Sequence, residues 1–128
     1  MLTEPGGDVV EGNEIRSLLR PFLLLLLYER PGHGYELIER LGELGVPGVE
    51  PGHAYRVLRD LERARLLRSA WEPSGAGPAR RRYELTPEGR GDLEGWVPRL
   101  AAFSRMLDSC VARWTEVSRT GELMRGAR

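Results

Sequence analysis

Lysine is absent: all nineteen basic residues of this 128-residue chain are arginine. Every positive charge is therefore a planar fork able to hold a phosphate or carboxylate through two parallel hydrogen bonds. Cysteine occurs once, as Cys110, which excludes an intrachain disulfide framework and fits a reducing, cytoplasmic setting. The only histidines are His33 and His53, and neither CxxC nor HxxxH spacing occurs, so no metal or cofactor is expected. Serine and threonine are sparse and form no nucleophile–base–orienter set, which argues against an enzyme. The most apolar run, residues 22–28 (FLLLLLY), is far short of the roughly twenty residues that cross a bilayer. Residues 1–13 carry acids and no arginine, unlike the basic start of a signal peptide.

Net charge is also absent, since nineteen acids balance the arginines. A histone-like coat for nucleic acid is thereby excluded, but local segregation is not. Residues 1–53 hold four arginines against nine acids, a net −5. Residues 54–90 hold nine against five, a net +4, and residues 91–128 six against five, a net +1. The middle third is a basic island in a neutral chain. Such an island suits an anionic partner or a solvated arginine-rich face.

The length suits one domain with an appendage. Residues 1–13 are rich in Gly, Pro and acids without apolar periodicity, and are expected to form a flexible tail. A helical pattern begins near Glu14, with the main first helix expected from Pro21 to about Glu29, buried on most sides. Leu37, Ile38 and Leu41 form the apolar stripe of a short second helix, with His33 expected to cap or pack and Tyr35 and Tyr83 expected in the core. After a Gly/Pro-rich turn, a third helix is expected from about Pro51 to Arg65. At about 100° per residue, Ala54, Val57, Leu58, Leu61 and Ala64 share one face, while Arg56, Arg59 and Arg63 share the opposite one. Residues 66–72 and 80–85 alternate as strands around a Gly/Pro loop at 73–79, a β-hairpin with Arg80, Arg81 and Arg82 at one root. Alternation puts Arg80 and Arg82 on one side of that strand.

Thr86-Pro87-Glu88 marks a helix start, with Thr as N-cap and Pro at the first position. From there Leu93, Trp96, Leu100, Phe103, Leu107, Cys110, Trp114 and Val117 repeat at alternating spacings of three and four. That heptad predicts a long helix packed in a coiled-coil-like seam, bent near Glu94 by Pro98 and fraying from about Thr120. The expected architecture is mainly α with a small β-hairpin: a winged helix-turn-helix at residues 14–85, a dimerisation helix at 86–119 and a frayed tail at 120–128. The third helix would enter a major groove, where arginine forks match guanine edges and phosphates. Dimerisation through Leu93, Trp96, Leu100, Phe103, Leu107 and Trp114 would fix the spacing of two such helices.

Three stretches carry a resemblance to a known family. They are residues 23–37, ending in Pro31-Gly32-His33-Gly34-Tyr35-Glu36-Leu37; residues 49–62 around Pro51-Gly52-His53-Ala54-Tyr55; and residues 71–90 with Gly77-Pro78-Ala79-Arg80-Arg81-Arg82-Tyr83. Over roughly residues 18–95 the chain resembles the PadR family of bacterial transcriptional regulators. The resemblance implies a dimeric repressor-type regulator of the smaller type with a single C-terminal helix, and two recognition helices at a fixed spacing would suit a palindromic DNA operator. The resemblance places DNA contacts on Tyr55, Arg59 and the wing arginines, among which strand alternation favours Arg80 and Arg82; the outward face of the third helix adds Arg56 and Arg63. Departures are Glu50 where a Ser would cap the third helix, and His53-Ala54 in place of Thr-Leu. Some family members bind flat aromatic compounds at the dimer interface, which makes Trp96 and Phe103 candidates for contact with a small aromatic effector. Interface packing explains the same aromatics. The alternative to DNA binding is a winged-helix adaptor between proteins.

Overall fold

The first helix forms where the sequence is most apolar. In the computed structural model, which describes residues 16–46 and 48–126, α1 spans Leu19–Glu29 with Pro21 in its first turn. A missing N–H is harmless there, because first-turn donors have no intrahelical acceptor. Leu19, Leu23, Leu24, Leu26 and Leu27 are buried, as the continuous apolar run predicts. The expected tail at 1–13 lies outside the described residues.

Two contact units divide the chain, residues 1–93 and 94–128. In the first, α1 is followed by strand β1 (Gly32–His33), helices α2 (Gly34–Glu43) and α3 (Pro51–Arg63), strands β2 (Leu67–Ser74) and β3 (Gly77–Leu85), and the start of α4 (Pro87–Gly126). The sheet has the order β1-β3-β2, with both pairs antiparallel. Strand β1 was not expected: two residues are too few for a visible alternation. The hairpin loop is also tighter than the Gly/Pro composition suggests, because pairing continues to Ser74 and Gly77.

Leu37 and Leu41 from α2 join Ala54, Leu58 and Leu61 from α3, Leu67 and Tyr83 from the strands, and Leu93 to close the core on α1. Leu93, expected at the head of the dimer seam, is thus already buried inside its own chain. One polar device in this core was not legible in the sequence. Arg40, only 7% exposed, donates to the main-chain carbonyls of Leu26 and Arg30 and lies 3.5 Å from Glu29 Oε1. A cation there satisfies and neutralises the C-terminal end of α1.

Both helices of the turn motif end alike. After α2 the Val46 and Gly45 N–H groups donate to Leu41 and Gly42 carbonyls, with Gly45 at φ +101. After α3 the Leu66 and Arg65 N–H groups donate to Leu61 and Glu62, with Arg65 at φ 65. This is the Schellman closure, which usually takes glycine at the left-handed position. Helix α3 therefore stops at Arg63, two residues short of the expected end, and Arg65 adopts the left-handed turn itself.

Thr86 starts α4 as its sequence predicts: its Oγ1 accepts from the Gly89 N–H at 3.0 Å and donates to the Arg65 carbonyl at 2.8 Å. Gly89 is obligatory, since a Cβ there would stand 2.1 Å from the Leu66 carbonyl oxygen. Helix α4 continues unbroken through Pro98 to Gly126, past the fraying expected at Thr120. In the second unit, Phe103, Leu107, Cys110, Trp114 and Val117 are exposed along it, Trp114 at 68%. Trp96 and Leu100 are half-buried, with the Arg99 guanidinium 4.0 Å from the Trp96 ring centroid. Val97, Met106 and Val111 are exposed too, flanking the seam and widening its apolar stripe beyond the two heptad positions.

Candidate nucleic-acid interface

Pro51 fixes the first turn of α3, and Ala54, Leu58 and Leu61 bury one side of it. Glu50 makes no side-chain cap to the helix, the poorer start that the missing Ser predicts. Burying that stripe leaves Arg56, Arg59 and Arg63 exposed at spacings of three and four residues, which share a face. Tyr55 is held differently. Its ring lies against the start of α2, where a Cβ on Gly34 would meet Tyr55 Cε1 at 2.2 Å and its hydroxyl at 3.0 Å. Gly34 thus lets α2 and α3 approach, and the phenol registers the two helices.

Charge compensation separates the arginines. Arg63 pairs with Asp60 at 3.0 Å. Arg82 lies 3.2 Å from Glu84 and 3.7 Å from Glu72, and Arg68 reaches Glu84 at 2.9 Å. The Arg68 hydrogen bond, with its charge, holds the Glu84 carboxyl below the usual carboxylate range. Arg81 donates to Ser69 Oγ at 2.7 Å, Ser69 donates to Glu62 at 2.6 Å, and the Arg81 guanidinium lies 3.7 Å from Glu62. This chain ties the hairpin to the end of α3. Among the described residues no carboxylate pairs with Arg56, Arg59 or Arg80.

The six residues expected to contact DNA therefore divide. Arg56, Arg59 and Arg80 present open guanidinium groups. Arg63 and Arg82 are engaged by acids, and Tyr55 works between helices. Alternation puts Arg80, Arg82 and Glu84 on one side of β3, and Glu72 stands opposite Arg80 in the register; sequence alone cannot see that Glu72 lies 3.7 Å from Arg82 and forms no ion pair with Arg80.

Two further residues of this face, Tyr35 and Trp71, were not foreseen from the sequence, whereas His33 caps as expected. Tyr35, expected in the core, is 44% exposed, because it stands in the first turn of α2 beyond the two-residue strand β1. Its hydroxyl accepts a hydrogen bond from Arg80, whose guanidinium lies 5.3 Å from the ring centroid. Trp71 is 65% exposed on β2, with the guanidinium of its cross-strand partner Arg81 5.1 Å from its ring. His33 caps α2 through Glu36, whose carboxylate accepts from the His33 main-chain N–H at 2.8 Å and from Nδ1 at 3.0 Å. The main-chain hydrogen bond is the main reason the Glu36 carboxyl sits below its ordinary range. Nε2 lies 2.9 Å from Glu72, linking α2 to the hairpin. Tyr83 does lie in the core, where burial raises its hydroxyl above the usual phenol range.

Residues 23–95, more than half of the chain, match the model of the transcriptional regulator PadR-like family. The chain belongs to this family. It is accordingly a transcriptional regulator and not an enzyme, and its three-helix, hairpin-winged unit has the architecture that the element order predicts. No curated protein matches the chain. Among solved structures, a conserved protein of unknown function described as a potential transcriptional factor shares 32% identity, with 92% of this chain and 99% of that one covered and a TM-score of 0.66. A Streptococcus transcriptional regulator shares 25% identity over 77% of this chain and 97% of its own, with a TM-score of 0.66. A PadR-like transcriptional regulator from Bacillus cereus is 23% identical over 78% and 97%, with a TM-score of 0.69, a likeness of fold. No helix among the described residues is long and apolar enough to cross a membrane.

Proposed function

We propose that this PadR-like regulator is a homodimeric, sequence-specific DNA-binding repressor acting on a palindromic operator. Helix α3 reads the major groove and the hairpin lies on the adjacent backbone. The observation that carries this reading is the set Arg56, Arg59 and Arg80: three exposed forks without carboxylates, on the recognition helix and the wing. Guanidinium groups already neutralised by Asp or Glu gain little from phosphate, whereas open ones gain the full charge-assisted contact. The exposed stripe of α4 supports pairing with a second copy, because an apolar face of that kind is stable only when covered.

Fluorescence anisotropy with the duplex upstream of its own gene tests the reading. About three phosphate contacts per protomer give a slope near −5 for log K against log salt. Binding that is absent, or insensitive to salt, refutes DNA recognition and leaves the protein–protein adaptor. Relief by a planar aromatic effector at Trp96 and Phe103 belongs to the same proposal. Arg99 already stacks on Trp96, so such a ligand exchanges one ring contact for another. Quenching of Trp fluorescence by candidate ligands, unaltered in Trp96→Phe, would remove Trp96 from that role.

A further inference from the structure

Beside the recognition helix lies a cleft of about 310 Å³, walled by Gly34 and Tyr35 on α2, Tyr55 on α3, and Trp71, Ala79, Arg80 and Arg81 on the hairpin. Aromatic rings supply the walls, and each of the two guanidinium groups lies against one of them: Arg80 on Tyr35 at 5.3 Å and Arg81 on Trp71 at 5.1 Å. Arg81 is tied down by Ser69 and Glu62, so it serves as a fixed floor under the indole, and most of Trp71 remains exposed. Arg80 differs, since it forms no ion pair among the described residues, its cross-strand neighbour Glu72 being engaged by His33 and Arg82, and it contacts the Tyr35 hydroxyl and ring. One wall thus offers a flat, exposed indole with a tethered guanidinium against it, and the other an open positive fork beside a phenol.

That pairing matches a repeat of apolar and anionic groups a few ångströms apart, which is the chemistry of a deoxyribose followed by its phosphate. We propose that the cleft receives the duplex backbone, with the sugar against the indole of Trp71 and the phosphate on Arg80 and the Tyr35 hydroxyl. Trp71 is then a contact that fixes the register of the wing on DNA without supplying charge. This rests on the DNA-binding reading above and assigns to that interface two residues, Trp71 and Tyr35, beyond the arginines. A free anion would need only Arg80. The exposed indole beside it is explained by a partner with an apolar face next to its charge.

The full chain and the upstream duplex supply the test, in salt titrations and hydroxyl-radical footprints. Trp71→Ala should weaken binding about 10-fold at every salt concentration, with the slope unchanged because no counterion-releasing contact is lost. It should also expose the deoxyriboses beneath the wing while those beneath α3 stay protected. Trp71→Phe should restore most of the affinity and the footprint, which a flat ring explains. Arg80→Ala should instead reduce the magnitude of the slope by about 0.9 per contact removed. Circular dichroism and melting of Trp71→Ala should match the unsubstituted protein, since the indole is mostly solvent-exposed. If the unsubstituted chain binds DNA and Trp71→Ala binds equally well with the same footprint, the proposal is overturned while DNA binding stands. A reduced slope in Trp71→Ala, or no rescue by Phe, overturns it too. If the unsubstituted chain binds no DNA, both readings fall together.

Discussion

Arg80 and Arg82 stand two residues apart on the same side of one strand, yet they belong to different regions. Around Arg82 the sheet carries a neutral ladder, in which Arg68 and Arg82 share Glu84 and Arg82 also faces Glu72. Arg80 forms no ion pair among the described residues, although Glu72 stands opposite it in the register, and its guanidinium rests on the Tyr35 ring. The ladder is internally satisfied and its pairs are solvent-exposed, so it contributes modestly to stability and offers little to an anion. The cleft keeps its field for a partner. Counting arginines does not separate these regions; counting what each one already holds does.

The largest effect should come from removing open charge on the recognition helix. Arg56→Ala combined with Arg59→Ala should lower operator affinity by on the order of 100-fold or more, from roughly 1–3 kcal/mol per base-directed fork. Size-exclusion chromatography of the same variant should show an unchanged oligomeric state. Retained affinity would put recognition elsewhere on the molecule. Next comes the direct contrast on β3. Arg80→Ala should cost about 10-fold and flatten the salt dependence, whereas Arg82→Ala should stay within about twofold, as surface pairs of this kind do. Equal losses in the two would erase the distinction between open and compensated arginines.

The smallest effect lies within the ladder itself. The Glu84 carboxyl is held below its ordinary value of 4.5, chiefly by the hydrogen bond from Arg68. A depressed folded-state value means that this stabilisation is present above the unfolded value and fades as pH falls through the folded one. Arg68→Ala should therefore lower the melting temperature slightly near neutrality, with the difference from the unsubstituted protein vanishing on acidification. Thermal melts across that range would show it. A gap that widened in acid would mean that Glu84 is not the partner that matters.

Periodicity carried much of the fold. Apolar spacing located α1, the short α2, the outward arginine face of α3 and the heptads of α4, and Thr86-Pro87 marked the start of α4. What stayed hidden depends on distant neighbours. Strand β1 is too short to alternate and exists because Tyr83 and Arg82 offer it an edge. Arg40 looks like a solvent-facing residue on an amphipathic helix until the carbonyl end of α1 is placed beside it. Tyr35 appears to be a core aromatic from its neighbours in sequence, but the turn from β1 into α2 swings it outward. The same applies in part to the candidate site: spacing put the arginines on shared faces, Asp60 and Glu84 lie on the same elements as the arginines they engage, and Glu72 comes from the neighbouring strand.

The contact between Gly34 and Tyr55 has a consequence for redirecting such a regulator to new targets. The relation between the two helices of the turn motif is set there by an empty position, one hydrogen where any other residue would place a carbon. A transplanted recognition helix must bring Tyr55 with it and arrive on a scaffold that keeps Gly34, because neither half specifies the crossing alone. Arg56 and Arg59 carry no such obligation and can be exchanged freely. Reprogramming would thus vary the outward letters of α3 while treating one glycine and one tyrosine, far apart in sequence, as a single inherited unit.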